Sequence, residues 1–398
     1  MNTIPGSVTS PQGFKAAGIA AGIKASGNKD LALIFSETPC SAAGVFTLNR
    51  VKAAPVLVMQ EYLRDGRAQA VVVNSGNANC CTGDQGMADA RRMAAVTAEA
   101  LGLKAEDVLP GSTGVIGVPL PMSVVEKGIR QIAPMLSPTG GDEAAEAIMT
   151  TDTVPKKVAI QVQIGGKTVT LGGMAKGAGM IAPNMGTMLS FLTTDVKMEP
   201  ELLKSLLKGA VDRSYNMVTV DGDTSTNDTV ILMANGASGV EVKVAADVEL
   251  FRKALSELTL DLAKQIARDG EGATKFVTVR VTSARVFADA KTVALSVANS
   301  NLVKTAIFGR DPNWGRILCA AGYSGAELDP NRVRVSMVGI PIFANGTPVP
   351  FDKPKAIEAL SARDVLIEID LGDGSENVEA YTCDFSYDYV KINAEYTT

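Results

Sequence analysis

The chain has 398 residues, of which 46% are hydrophobic and 20% are charged, and its formal net charge is -5 at pH 7. This length fits roughly two to three domains with a sizeable core. Acidic and basic residues are interspersed without a basic face or tail, which argues against a nucleic-acid partner. The chain contains no histidine, so it lacks the side chain whose ordinary pKa lies nearest neutrality.

Composition also limits redox, metal and membrane chemistry. The cysteines are Cys40, Cys80, Cys81, Cys319 and Cys383, and their spacing matches neither a zinc site nor a C-x-x-C motif. We expect reduced, structural thiols and no metal ligands. Because no run approaches the roughly 18 apolar residues of a membrane helix, and no signal sequence opens the chain, we expect a cytoplasmic protein without a membrane partner.

Predicted strands and helices alternate in the first half of the chain. The apolar run 68–73 predicts a strand, and the polar segment 74–79 that follows predicts a turn. Apolar residues at helical spacing predict helices at 84–103 and 122–132. Two alternating segments joined by a pair of glycines predict a hairpin over 158–171.

The second half starts with two amphipathic helices, predicted at 200–212 and 247–268, and then becomes rich in alternating segments. The predicted late strands are 277–281, 332–338 and 365–370. Hairpin or turn signals lie at 345–346 and 372–374. No internal repeat is visible.

These elements predict an α/β (α+β) fold of layered sheets and helices. The change in character places a domain boundary near Ser283. We therefore expect a main α/β domain at 1–283 and a smaller C-terminal α+β domain at 284–398.

Three short segments partly match known ligand-binding motifs. Residues 177–182 match G-x-G-x-x-[GA] after a predicted strand, so a dinucleotide-binding oxidoreductase is one alternative, although Pro183 disfavours the helix that this motif must open. The glycine required for a phosphate loop before Gly166-Lys167-Thr168 is replaced by Gln161. The acidic run 221–228 lacks the glycine and the twelfth-position carboxylate of a calcium loop.

Thr187 follows Gly186 near the end of the glycine-containing run 176–189. Glycine reaches strained backbone conformations cheaply, and a strained Gly186–Thr187 peptide would invite attack by the Thr187 hydroxyl on the Gly186 carbonyl. Hydrolysis of that ester would free the α-amine of Thr187, a group with a pKa near about 8. Thr187 would then carry nucleophile and base together. From the residues alone, the alternative is that Thr187 begins a buried strand.

Eight segments resemble the signatures of the ornithine acetyltransferase (glutamate N-acetyltransferase) family of arginine biosynthesis, and they occur in the family's order. They are 74–79, 112–117, 149–153, 176–189, 221–228, 269–275, 311–316 and 389–398. One departure is Gly186, where the family usually has alanine.

The resemblance implies self-cleavage between Gly186 and Thr187 into an α chain, 1–186, and a β chain, 187–398, that assemble as an α2β2 heterotetramer. Thr187 would take the acetyl group from N2-acetylornithine, release ornithine, and pass the group to glutamate in a ping-pong reaction. No cofactor is implied. Whether acetyl-CoA also serves as a donor, which would make the enzyme bifunctional, stays open.

The resemblance also assigns site residues. Thr113, by its hydroxyl, and Gly114, by its backbone N–H, would form the oxyanion hole, whereas local composition alone predicts a turn at 112–114. The implied substrate-binding residues are Thr150, Lys176, Thr187, Glu271, Asn393 and Thr398.

Their chemistry suits amino-acid substrates. Lys176, or the hydroxyl and amide groups of Thr150, Asn393 and Thr398, would hold the α-carboxylate, and Glu271 would suit the ornithine cation. Lys176 would also lower the pKa of the Thr187 amine through like charge.

A self-cleaving aminopeptidase or amidase is the nearest alternative, because it would use the same nucleophile with water as the acceptor. The breadth of the family signatures favours the acetyltransferase.

Overall fold

The computed structural model describes residues 1–182 and 188–395, which form a mixed α/β fold and confirm the predicted class. The strands in this part are β1 Asn2–Ile4, β2 Phe14–Ile19, β3 Leu31–Phe46, β4 Arg67–Asn77, β5 Val108–Val115, β6 Lys156–Ile164, β7 Lys167–Lys176, β8 Leu189–Thr194, β9 Thr229–Ala234, β10 Phe276–Ala284, β11 Arg334–Met337, β12 Ile340–Ala344, β13 Thr347–Pro348, β14 Asp364–Asp370 and β15 Glu376–Cys383.

The helices surround these strands, and none in the described residues is long and apolar enough to cross a membrane. They are α1 Ala54–Tyr62, α2 Gly83–Leu101, α3 Met122–Ile132, α4 Gly141–Ala147, α5 Pro200–Asp212, α6 Ala245–Arg268, α7 Phe287–Asn299, α8 Asn301–Phe308, α9 Trp314–Gly322, α10 Lys353–Ala359 and α11 Tyr387–Glu395. All five cysteines are free, as predicted.

The larger sheet has the strand order β1-β6-β7-β8-β9-β3-β4-β5, with β2 on β3. Most neighbours are antiparallel, but β8 pairs with β9 and β4 pairs with β5 in parallel. The long strand β3 joins two halves of this sheet, because it pairs with β4 up to Ser41 and with β9 from Ser41 to Phe46. Its pairing with β4 is interrupted by an irregularity between Phe35 and Cys40.

The two halves of the larger sheet pack face to face. Phe191 of β8 lies in a buried cluster with Val71 of β4, whereas its neighbour Leu192 lies in the cluster that α5 and α6 complete. On the other side, Val72 packs with Met93 of α2 and with residues of α3. Because successive strand residues point to opposite faces, this alternation gives four layers: helices, half-sheet, half-sheet, helices.

The smaller sheet has the order β13-β12-β11-β14-β10-β15 and is covered by α7. Its core is continuous with that of α6 and the adjoining half-sheet. The predicted boundary near Ser283 falls inside β10, which pairs with β14 and β15 from Phe276 onwards. The division into two domains stays a prediction.

Several predicted elements are confirmed. Helices α3 and α5 begin and end at the predicted residues. Helix α2 begins at Gly83 and ends at Leu101, where 84–103 is predicted, and α6 begins at Ala245, where 247 is predicted. The β6–β7 hairpin turns at Gly165 and Gly166, which have φ values of 58° and 76°. Asn345-Gly346 likewise connects β12 to β13.

Two turn predictions are wrong. Residues 74–77, predicted as part of a turn, continue β4, and residues 112–114 form the end of β5. The two strand ends pair in parallel, Asn74 with Ser112 and Gly76 with Gly114. Pairing satisfies the backbone groups of residues whose local preference is for turns, so tertiary context overrides propensity.

Candidate active site

A cavity of about 110 Å³ gathers the predicted site residues of the described part of the chain. The lining includes Thr113, Gly114, Thr150, Lys176, Glu271 and Asn393. These six come from five separate segments of the sequence. Gly186, Thr187 and Thr398 lie outside the described residues, and the roles of all nine stay predictions at this point.

A larger groove, of about 410 Å³, lies between the last part of β3 and the start of α5. None of the predicted site residues lines it. Size alone therefore does not locate the chemistry of this protein, since convergent polar groups mark the smaller cavity instead.

The end of β5 brings Thr113 and Gly114 to the cavity wall. Thr113 is buried, and Gly114 has a φ of 133°. A Cβ on Gly114 would overlap the backbone of Gly76 in the neighbouring strand. Glycine is thus required here for the close approach of β4 and β5, and that approach directs the end of β5 into the cavity.

Asn227 ties a second loop to this wall, and sequence reasoning gave it no role. Its side chain amide donates to the carbonyls of Ala78, at 2.7 Å, and Ser112, at 2.8 Å. Ser112 in turn donates to Asn74 at 2.6 Å. The run 221–228, which fails as a calcium loop, therefore braces the residue immediately before Thr113.

Lys176 occupies the end of β7, where it pairs with Leu189 at the start of β8. It is only 2% exposed. Burial lowers the pKa of its ammonium, while the charge of Asp152 opposes that effect. The amine of Lys176 is thus held in the wall of the cavity, close to the start of β8.

Two aspartates hold the backbone on either side of residues 183–187. Asp221 accepts hydrogen bonds from the N–H groups of Met180, at 2.6 Å, and Ile181, at 2.9 Å. Asp228 accepts from the N–H of Met188 at 2.9 Å. Burial raises the pKa of both carboxyls. Met180 has a φ of 54°, an uncommon conformation for a residue other than glycine.

Glu271 enters the cavity from the loop after α6. Its N–H donates to the carbonyl of Ala178 at 2.8 Å, and its carboxylate accepts from the amide of Asn393 at 2.8 Å. A Cβ on Gly179 would overlap the Glu271 carboxyl group. The glycine-rich run before the predicted cleavage point therefore admits a carboxylate, although it matches a dinucleotide motif in sequence.

That motif does not open a helix within the described residues. Residues 177–182 are irregular, and β8 begins at Leu189. The dinucleotide alternative thus lacks the helix whose N-terminus would receive the phosphates. No group of acidic or cysteine residues in the described part is arranged to hold a metal ion.

A buried charge network supports Thr150 and Lys176, and sequence reasoning missed it. Asp152 accepts from the N–H of Thr150 at 3.0 Å, and Lys156 donates to Asp152 and to Asp269, each at 2.6 Å. The spacing of Asp152 and Lys156, four residues apart, is common in surface ion pairs, so nothing local marked this pair as buried.

The arrangement provides the parts that acyl transfer requires. Two candidate oxyanion donors, one buried lysine and one carboxylate line a small cavity. A lysine and a carboxylate complement the carboxylate and the cation of an amino-acid substrate with a basic side chain. Preorganised donors can stabilise a developing oxyanion.

Comparisons with known proteins agree with this site. The sequence model of the ArgJ family matches residues 15–398. An arginine biosynthesis bifunctional protein ArgJ from Symbiobacterium thermophilum is 53% identical over 402 residues, and one from Caldanaerobacter subterraneus is 50% identical over 404, with 100% of both chains covered in each case.

A solved structure is also similar. The crystal structure of arginine biosynthesis bifunctional protein argJ from Bacillus halodurans has 45% identity and a TM-score of 0.52, and it covers 53% of this chain and 100% of its own. With a family match over nearly the full length and relatives at half identity, the chain belongs to the ArgJ family and is an acyltransferase.

Proposed function

We propose that this protein transfers an acetyl group from N2-acetylornithine to glutamate through an acetyl ester on Thr187. The observation that carries the proposal is the convergence of six predicted site residues on one cavity, at the place where β8 begins two residues after Thr187. Residues so far apart in sequence share no local reason to meet. A common site for substrate and nucleophile accounts for their meeting.

The nucleophile is generated by cleavage between Gly186 and Thr187. Asp221 and Asp228 anchor the backbone on either side of residues 183–187, which supports a cleavage point between two fixed ends. The β chain, 187–398, is just over half of the 398 residues. The crystallised chain from Bacillus halodurans covers 53% of this chain, a length that suits a relative cut at this point.

In the first half-reaction, the Thr187 hydroxyl attacks the acetyl carbonyl of N2-acetylornithine, and the α-amine of Thr187 takes the hydroxyl proton. The tetrahedral oxyanion is stabilised by Thr113 and the N–H of Gly114. Collapse of the intermediate expels ornithine, whose leaving amine receives the proton. Glutamate then attacks the acetyl ester by the same steps and leaves as N-acetylglutamate.

The charges of the cavity match both substrates. Lys176 receives the α-carboxylate that ornithine and glutamate share, with Thr150 and Thr398 as further polar partners. Glu271, which Asn393 orients, receives the side-chain cation of ornithine. Since Lys176 is buried with little solvent to compete, its attraction for a carboxylate is stronger than that of an exposed lysine.

The test is to supply the purified protein with N2-acetylornithine, with and without glutamate. The proposal predicts ornithine release that requires glutamate beyond a single turnover, together with one N-acetylglutamate for each ornithine. Ornithine release at the same rate without glutamate indicates water as the acceptor, which is the aminopeptidase or amidase alternative.

The relatives are named bifunctional proteins of arginine biosynthesis, and we propose that a second activity of this chain would use acetyl-CoA as the donor. The same assay with acetyl-CoA in place of N2-acetylornithine tests this: free thiol and N-acetylglutamate should form together. An α2β2 assembly, also implied by the resemblance, predicts a mass of about twice 41.4 kDa by light scattering under native conditions.

A further inference from the structure

Two buried lysines stand on opposite sides of one carboxylate. Lys156 is fully buried and donates to Asp152 Oδ1 at 2.6 Å, and Lys176 Nζ lies 3.9 Å from Asp152 Oδ2. Asp152 also accepts from the N–H groups of Gly177, at 2.6 Å, and Thr150. Asp152 thus connects the segment carrying Thr150 to the end of the strand carrying Lys176.

The two lysines differ in their carboxylate partners. Lys156 is within hydrogen-bond distance of two carboxylates, Asp152 and Asp269. Lys176 has one ion pair among the described residues, and its 3.9 Å separation from Asp152 is longer than an N–H···O bond. Asp152 therefore balances the charge of Lys176 without binding its N–H donors, which leaves those donors for a ligand in the cavity.

The charge of Lys176 depends on its neighbours, since burial lowers the pKa of its ammonium. The charged groups that face it are Asp152 and Glu271, which favour the ammonium, and Lys156 and Lys24, which oppose it. Asp228 also faces it and favours the ammonium only when Asp228 is ionised. Asp152 has the largest favourable effect on this group. Burial alone would raise the pKa of Asp152, but Lys176 and Lys156 hold it below the ordinary value, so Asp152 is ionised near neutral pH.

We propose that Asp152 is a positioning residue that keeps Lys176 charged and its N–H donors available to a ligand. Asp152 would so set the preference of this site for substrates with an α-carboxylate. This inference rests on the proposed function, in which Lys176 receives that carboxylate in both half-reactions. A neutral amine at Lys176 would accept an uncharged α-carboxamide almost as readily, because only the ammonium distinguishes the two by charge.

The test compares Asp152→Asn with Asp269→Asn. Each variant removes one of the two carboxylates bonded to Lys156, but only Asp152→Asn removes the counter-charge of Lys176. For each protein, kcat/KM is measured with N2-acetylornithine and with its α-carboxamide analogue. The carboxylate preference is the ratio of kcat/KM for N2-acetylornithine to kcat/KM for the carboxamide. At about pH 8 we expect this ratio to fall about tenfold or more in Asp152→Asn, because the charged fraction of an amine above its pKa falls about tenfold for each unit by which that pKa is lowered.

The inference also predicts how the carboxylate preference of Asp152→Asn changes with pH. Without Asp152, Lys176 loses its proton at a lower pH, so the lost preference should return as the pH falls towards about 6. The loss should appear in KM rather than in kcat, and Asp269→Asn should keep the native preference throughout. A preference in Asp152→Asn equal to that of the native protein, or an equal loss in both variants, overturns the inference.

The native protein gives a test that does not depend on a variant that folds. If Asp152 keeps Lys176 charged, the carboxylate preference stays constant between about pH 6 and pH 9. A preference that declines across this range contradicts the inference. Native protein without acetyl transfer, or without any carboxylate preference, instead contradicts the proposed function, so the two failures are distinguishable.

Discussion

The carboxylate of Glu271 is held by two neighbours of different kinds. Gly179 leaves room for it because it has no Cβ, and the amide of Asn393 donates to it at 2.8 Å. Glu271 is only 7% exposed. A buried carboxylate with one amide partner keeps acceptor sites for a cation, and in the proposed function the side-chain ammonium of ornithine supplies one.

Glu271→Gln should therefore weaken the binding of N2-acetylornithine selectively. Glutamine keeps the size and the contact with Asn393 but loses the charge, and a hydrogen bond to a charged group contributes about 1.5–3 kcal/mol. We expect KM for N2-acetylornithine to rise about ten- to a hundredfold. KM for glutamate, which lacks the cation, serves as the internal control and should stay within about twofold. A parallel rise of both KM values would show that Glu271 does not recognise ornithine.

The buried carboxyl of Asp228 gives a prediction about stability. Burial raises its pKa well above the ordinary value, against the opposing hydrogen bond from Met188 and the charge of Lys176. The folded protein therefore retains a proton that the unfolded chain releases above about pH 4. This group's contribution to the free energy of unfolding thus falls as the pH rises from about 4 towards the raised pKa.

Asp228→Asn removes that titration and keeps an oxygen for Met188. The gain in melting temperature of Asp228→Asn over the native protein should be larger at about pH 8 than at about pH 4. Circular dichroism melts of both proteins in matched buffers measure this difference. An identical difference at the two pH values would show that Asp228 has the same protonation state when folded and unfolded.

At the scale of elements, the parallel ends of β4 and β5 build one wall of the cavity. Their contact depends on Gly76 and Gly114, which face each other in register. Gly114→Ala should destabilise the protein by strain at positive φ, about 1–3 kcal/mol, and further by overlap with β4. Gly117→Ala is a matched control, because Gly117 has a φ of 81° but open space around its Cβ position.

Melting temperatures measure the difference between these two variants. Gly114→Ala should melt at a clearly lower temperature than Gly117→Ala. Equal melting temperatures would mean that β4 moves away at little cost and that the close approach does not hold the wall in place.

Elements with strong local signals were predictable from the sequence, and elements held by tertiary pairing were not. Helix α5 has a proline at its start and a regular apolar face, and its bounds match the prediction. Residues 74–77 have the composition of a turn, yet their backbone pairs with β5, and the side chain of Asn74 accepts a hydrogen bond from Ser112 of that strand. No local pattern can reveal a partner about forty residues away.

The residues of the candidate site were likewise predictable only where the sequence itself carried a signal. Family signatures, rather than composition or spacing, singled out Glu271 and Asn393, which would otherwise read as a solvated loop acid and a terminal amide. The supporting residues Asp152, Lys156 and Asn227 escaped because their importance comes from burial, and burial is a property of the fold.

At the scale of the whole molecule, the two segments on either side of residue 187 are interleaved. Strand β7 pairs with β8, and β3 pairs with β9, so strands from before and after the predicted cleavage point lie side by side in the larger sheet. The largest apolar core also draws residues from both sides. Separation of the α and β chains would expose this core, so the cut protein should remain one particle under native conditions.

Intact-mass spectrometry of the purified protein under denaturing conditions, beside the same measurement on Thr187→Ala, tests the central claim most directly. The native protein should give two chains, 1–186 and 187–398, that elute together before denaturation and of which the second gains one acetyl group when N2-acetylornithine is added without glutamate. Thr187→Ala should give a single uncut chain that gains no acetyl group and transfers none. An active native protein of one unbroken 398-residue chain, or two chains from Thr187→Ala, would contradict the account.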